Sequence, residues 1–214
     1  GSMRRDSTVW NTMSPTSIGM IEDRLQTRVV VPEEMKPNAR QAAVAAVLRA
    51  DGEDTEVLFI QRSKKQGDPW SGHMAFPGGH REAIDTSLQE TAVRETLEEV
   101  GLDLTTSGRY MGQLEMVRAN PRGRNIDMTV SPFVFELTNA HPTLSLNHEV
   151  AEVHWGRLGE MMRGDVYADD AWKGPPGAKA FPGHHVGGQV VWGLTFRMLE
   201  DLFALLTPGF ERRG

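Results

Sequence analysis

The 214-residue chain contains no cysteine. Disulfides, thiolate nucleophiles and thiolate metal sites are therefore excluded, and any bound metal must be held by oxygen or imidazole. That agrees with a cytoplasmic protein. No apolar run approaches the roughly 18 residues needed to span a bilayer, so a soluble protein without a membrane partner is expected. The chain also has no surplus of positive charge. With 23 Lys and Arg against 29 Asp and Glu it carries a formal charge of -6, which argues against tight nonspecific nucleic-acid binding, because few excess cations are available to displace counterions from phosphates. Internal repeats and low-complexity tracts are missing as well.

What is present is an ordinary globular composition, 39% hydrophobic and 24% charged, long enough for one good core. The opening Gly1-Ser2-Met3 reads as a tag remnant. Residues 1–39 are expected to form an extension with one short helix, residues 40–207 the main domain, and residues 208–214 a tail. In the extension, "SPTSIGMIEDRLQT" predicts a helix with Ser14 at the N-cap and Pro15 at the first helical position, followed by a connector around Pro32 and Pro37. "AAVAAVLRA" and "TEVLFIQRS", separated by the turn chemistry of "DGED", predict an antiparallel hairpin. "GDPWSG" reads as loop, and "HMAFPGG" as a short strand running into a turn. A helix is expected from about Thr86 to Val100, stopped by Gly101. Strands are expected at "GRYMGQLEMV", "MTVSPFVFEL", "EVAEVHW" and "GQVVWG", with helices at "GRLGEMMRG" and "LTFRMLEDLFALL". Strands mixed with a few helices, without regular alternation, imply an α/β (α+β) fold in which helices cover both sides of a mixed sheet.

The helix ending at Gly101 poses a physical problem. At about 100° per residue, Glu95, Glu98 and Glu99 fall within an arc of roughly 100°, with Val93, Leu97 and Val100 gathered opposite as the expected core side. Leu88 and Ala92 lie on the acidic side near the start, so an apolar cover is expected there too. A charge run is ordinarily a solvated face. Beside a Gly-rich turn, however, three converging carboxylates are offset by a hard divalent cation, for which Mg²⁺ is the natural choice, and Mg²⁺ bridges carboxylates to substrate phosphates.

These residues resemble the Nudix hydrolase box, G-x(5)-E-x(7)-R-E-U-x-E-E-x-G-U with U a bulky apolar residue. Arg94-Glu95-Thr96-Leu97-Glu98-Glu99-Val100-Gly101-Leu102 supplies its second half, and fixing five positions gives on the order of one chance match per million registers. Asp85 stands where the family has Glu, separated from Arg94 by eight residues rather than seven, and Thr96 replaces the bulky residue. Phe76-Pro77-Gly78-Gly79 with Asp85 is similar to the coenzyme A pyrophosphatase branch. "LFIQRS", "SPFVFEL", "NHEVAEVHW" and "VVWGLTFRML" extend that similarity over roughly residues 40 to 206. Where the branch carries an Arg before Phe-Pro-Gly-Gly, this chain offers Lys64, Lys65 and Trp70.

The resemblance implies a Nudix-type α/β/α sandwich with a mixed β-sheet, and cleavage of a nucleoside diphosphate linked to another moiety with Mg²⁺ or Mn²⁺. It implies metal binding by Glu95, Glu98, Glu99 and the Gly78 carbonyl, with Glu98 also placed to polarise a metal-bound water. Arg94 is the expected orienting partner of a box carboxylate. Glu149 is the candidate general base, with Glu152 its rival. Arg62, Arg118 and Gly79 are candidates for substrate binding, and Arg122 and Arg124 share the basic loop with Arg118. His184 and His185 read as loop residues rather than metal ligands, and Trp192 as core. Coenzyme A or a derivative is one substrate expectation; nucleotide sugars, dinucleotides or nucleoside triphosphates are another, and a non-catalytic nucleotide-binding module is a third. The resemblance leaves a homodimer open.

Overall fold

The computed structural model describes residues 13–30, 40–66, 72–119 and 127–214. The connector around Pro32 and Pro37, most of "GDPWSG" with Trp70, and Arg122 and Arg124 lie outside them. Helix α1 spans Ile18–Thr27 and starts later than expected: Ser17, not Ser14, is the N-cap and accepts the Met20 N–H. The Ser17 N–H bonds back to the Ser14 carbonyl, so Ser14 closes the turn that precedes the helix.

Strands β1 (Arg40–Asp51) and β2 (Asp54–Arg62) form the expected antiparallel hairpin, with Leu48 opposite Val57. Two short strands follow, β3 (Met74–Ala75) against β2 and β4 (Gly78–His80) against β1. Helix α2 (Leu88–Val100) is capped by Ser87, whose hydroxyl accepts the Glu90 N–H, and ends at Gly101 with φ 72°, a left-handed conformation that glycine adopts without steric cost. A short helix α3 (Leu104–Ser107), unexpected from the sequence, leads into β5 (Gly108–Gln113) and β6 (Val117–Ala119). The expected single strand over "GRYMGQLEMV" is thus two, both paired with β7 (Met128–Leu137). Strand β8 (Val150–Arg157), helix α4 (Leu158–Arg163), strands β9 (Tyr167–Trp172), β10 (Phe181–Val186) and β11 (Gln189–Trp192), and helix α5 (Gly193–Leu206) complete the chain.

Eight strands make one sheet whose main path runs β3-β2-β1-β7-β5. β1 and β7 are parallel and the other pairs antiparallel, so the sheet is mixed. Because β1 is central, it is buried on both faces, which explains its nearly unbroken apolar run. Ala42, Ala46 and Leu48 join Ile21 and Leu25 of α1 and Leu199, Leu202 and Phe203 of α5 in one core. Ala43, Ala45 and Val47 join Ala92 and Val100 of α2 in the other. Two cores on opposite faces, each roofed by helices, make the α/β/α sandwich. Phe59 and Phe203 are fully buried, each contributing about 2–3 kcal/mol of transfer free energy. A second sheet, β11-β10-β9, leads into α5. Among the described residues no helix is long and apolar enough to cross a membrane.

Two expectations are corrected here. Helix α2 buries Thr91, Ala92, Thr96, Glu99 and Val100, while Leu97 is 47% exposed; the core side is rotated toward Glu99, because that carboxylate faces the β4 loop. His184 and His185 lie in β10, not in a loop, and His184 is fully buried beside Glu200. Trp192 is half-buried and stacks on Trp172 with ring centroids 4.1 Å apart.

Candidate active site

The Phe76-Pro77-Gly78-Gly79 segment carries the chain from β3 into β4, so that β4 pairs with β1 directly beneath α2. Both glycines are dictated by space. A Cβ on Gly78 would lie 2.3 Å from the Ala43 carbonyl oxygen, and one on Gly79 would lie 2.6 Å from the Glu95 carboxylate. The backbone therefore approaches the acidic helix more closely than a side chain would allow. The Gly78 N–H donates to Glu99 Oε1 at 2.8 Å.

Glu99 is only 2% exposed. Burial pushes its carboxyl up to about 8, with the Gly78 bond opposing and the charges of Glu95 and Glu149 adding to the rise. Burial likewise raises Glu95, against the pull of Arg94, and Glu98 and Glu149 add to the rise. The repulsion among the three glutamates is offset in part by protein alone. Arg94 Nη1 donates to Glu95 Oε1 at 3.1 Å and to Glu98 Oε1 at 3.2 Å. Arg94 thus pairs with box carboxylates as the resemblance implied. Glu98 is held outward, its side chain 53% exposed. Glu95 and Glu99 are the carboxylates turned toward the Gly-rich strand.

Arg94 is in turn fixed by Asp85. Its Nε donates to Asp85 Oδ1 at 2.8 Å and its Nη2 to Oδ2 at 2.9 Å, while Nη2 also reaches the His80 carbonyl. Asp85 is almost fully buried and also accepts from the Glu82 N–H and the Thr91 hydroxyl. The Arg94 guanidinium, with these added bonds, holds the Asp85 carboxyl well below the usual carboxylate range. The shorter acid and the longer spacer thus still reach Arg94 in bidentate geometry. Thr96 fits a site with no room for a bulky residue: it is fully buried and its hydroxyl donates to the Ala92 carbonyl at 2.7 Å.

Of the other candidates, Arg62 lies close enough to lower the Glu99 carboxyl electrostatically, and its N–H bonds the His73 carbonyl beside β3. Glu149 sits at the start of β8, its carbonyl accepting the Ser63 N–H, and its charge is felt at both Glu95 and Glu99. Glu152 points elsewhere and pairs with His154 at 3.5 Å. Arg118, on β6, reaches Asp127 at 3.4 Å. Lys64 and Lys65 are exposed. The sequence reading missed Asp85 as the anchor of Arg94, and the signal available was an acid within nine residues of a cation at the helix start.

Among the described residues no three acidic or imidazole groups form a ready-made metal cage. The donor set nonetheless fits a hard cation. Two carboxylates made unfavourable by burial and mutual charge stand against glycines whose lack of a side chain lets the backbone approach them closely. Mg²⁺ typically takes one or two carboxylates and completes its shell with water and phosphate.

A mixed sheet between two helical layers, with a carboxylate-bearing helix packed over a glycine-lined strand, defines the class. The NUDIX domain family profile matches residues 39–193, and the chain belongs to the Nudix family, whose hydrolases act on phosphoric anhydride bonds. Over 154 residues it is 28% identical to the mitochondrial coenzyme A diphosphatase NUDT8 of Mus musculus, spanning 72% of each chain. Over 158 residues it is 30% identical to the peroxisomal coenzyme A diphosphatase NUDT7 of Mus musculus, spanning 72% of this chain and 63% of that one. A 109-residue stretch is 44% identical to protein C14C4.10c of Schizosaccharomyces pombe, covering 50% of this chain but only 33% of that protein's length.

Proposed function

We propose that the protein is a Mg²⁺- or Mn²⁺-dependent pyrophosphohydrolase that cleaves a nucleoside diphosphate linked to another moiety, with coenzyme A or a derivative as the substrate class. The observation that carries this reading is the pair Glu95 and Glu99, raised in pKa and set against Gly78 and Gly79. The similarity to two proteins named coenzyme A diphosphatases supports the substrate class.

Glu95 and Glu99 would hold the cation, with Glu98 at the outer edge of the set. A divalent cation there supplies neutralisation of the diphosphate and of the leaving phosphate. The remaining work belongs to the chain. Arg94, locked by Asp85, fixes the orientation of Glu95 and Glu98. Arg62, beside Glu99, binds a phosphate oxygen of the diphosphate. Glu149 accepts the proton of the attacking water as oxygen bonds to phosphorus and the bridging P–O bond breaks. For coenzyme A the products are phosphopantetheine and adenosine 3′,5′-bisphosphate.

The test is a panel of diphosphates, including coenzyme A, nucleotide sugars, dinucleotides and nucleoside triphosphates, incubated with Mg²⁺ and with Mn²⁺ and read by mass spectrometry. Cleavage of coenzyme A at the anhydride is expected. Cleavage of another panel member in its place would move the substrate class, and tight binding of one member with none cut would make the protein a binding module.

A further inference from the structure

The register of four strands sets a row of polar side chains beside the candidate active site. Ala42 pairs with His80, and the ladder continues where the Arg81 N–H donates to the Gln41 carbonyl at 2.9 Å. Gln41 pairs with Thr129 of β7, and Thr129 with Arg118 of β6. Arg81, Gln41, Thr129 and Arg118 therefore stand side by side across the sheet.

Alternation fixes the face they share, because residues next to each other along a strand point to opposite sides. Ala42, Val130 and Val117 belong to the core under α1 and α5, so the row one residue away points to the α2 side. Ala43, two residues from Gln41, packs in the α2 core. Its partner Gly79 touches Glu95. The row thus lies about 7 Å along the strands from the Gly79–Glu95 contact, on the same face.

The row's chemistry points to an anion. Arg81 uses two of its five N–H donors, one on Gln41 Oε1 at 3.1 Å and one on the Asp85 carbonyl at 3.4 Å. A hollow of about 520 Å³ opens at this end of the sheet, lined by Arg40, Gln41, His80, Arg81, Glu82 and Ala83. Among its described lining residues Glu82 is the one carboxylate, and it stands 3.8 Å from Arg94.

We propose that the Arg81–Gln41 end of this row, where the hollow opens, is a subsite for a phosphomonoester carried by the substrate in addition to its diphosphate. The proposal rests on the reading of Glu95 and Glu99 as the diphosphate site. It makes the protein selective for nucleotides bearing a second, separate phosphate. Arg81 supplies the charged donors, and Gln41 holds the Arg81 guanidinium in place.

The test is calorimetric binding of adenosine 3′,5′-bisphosphate and adenosine 5′-monophosphate, which requires no turnover. The bisphosphate is expected to bind about tenfold more tightly or better, the worth of one charge-assisted contact. In Arg81→Ala that ratio should collapse to near one with the monophosphate affinity retained, which also reports a folded protein. Equal affinities in the unmodified protein, a ratio that survives Arg81→Ala, or an equal loss of both ligands would overturn the subsite. If the discrimination holds while the diphosphate panel is left uncut, the subsite stands and the hydrolase reading fails.

Discussion

Asp85 grips Arg94 through two bonds, Nε to Oδ1 at 2.8 Å and Nη2 to Oδ2 at 2.9 Å, and the same guanidinium spends its remaining nitrogen on Glu95 and Glu98. Two of the three clustered glutamates, Glu95 and Glu98, are thus placed by an arginine that is itself placed by a buried aspartate outside the helix. Asp85→Ala would leave Arg94 with its neighbours but without its anchor. Breaking such a buried pair costs about 3 kcal/mol, and a denaturation midpoint shift of that size is expected, together with a fall in turnover. Because the folded Asp85 carboxyl is depressed, its contribution is present above the ordinary aspartate range and is lost as pH falls through and below it. Asp85→Ala should therefore flatten the acid limb of the stability curve, and an unchanged limb would refute the assignment.

Glu99 has the opposite sign. Its carboxyl is raised from 4.5 to about 8, so across that interval the folded chain binds more protons than the unfolded chain, and stability falls as pH rises. The metal-free protein is expected to lose melting temperature from about pH 5 to pH 8, less so as Glu99→Gln. Saturating Mg²⁺ should oppose the loss most strongly near pH 8, where the carboxylate is ionised. Melting curves with and without the ion across this range decide the point.

Gly78 and Gly79 are adjacent, yet their replacement by alanine should differ in kind. At Gly78 the new Cβ meets the Ala43 carbonyl and the Val44 backbone, which cannot move without breaking the β1–β4 pairing. About 1–3 kcal/mol of destabilisation is expected from the forced shift. At Gly79 the new Cβ meets the end of the Glu95 side chain, which can swing away. Gly79→Ala is expected to melt nearly as the parent does while losing activity and metal affinity. Equal melting penalties at the two positions would contradict this division.

The contrast between β1 and β10 shows what a sequence can carry. β1 announces itself because both of its faces are buried and its run from Ala42 to Leu48 is wholly apolar. β10 reads "FPGHHV", with Pro182 and Gly183 suggesting a turn. Gly183 is there for a different reason, since a Cβ would lie 2.6 Å from the Val191 carbonyl on the next strand. That demand comes from β11 and is invisible locally. The box residues were legible for a similar reason to β1, because their types and spacing sit on one helix. The rotation of α2 was not: by angle Leu97 belongs to the core, but Glu99 is drawn inward by the Gly78 N–H and Leu97 turns out. Asp85 lies in a loop, where spacing gives no face, so the resemblance placed it at the box's acidic position while its bidentate grip on Arg94 is read from the folded geometry.

Glu149 and Glu152 were rivals for the same role, and their surroundings separate them. Glu149 contributes its charge to both Glu95 and Glu99, and its backbone is tied to Ser63, one residue after Arg62. Glu152 lies two residues into β8, opposite Gln61, and faces His154. A group that takes a proton from the attacking water must stand beside the acids that hold the cation, and general-base assistance is worth about 10²–10⁴ in rate. Glu149→Gln is therefore expected to lower kcat by about that factor, with KM little changed and the acid limb of the kcat profile lost. Glu152→Gln should stay within about twofold of the parent, as expected for an exposed substitution away from the reacting atoms. The reverse ranking in a steady-state assay would transfer the role to Glu152, and near-parent rates for both would leave proton removal to Glu98 or Glu99.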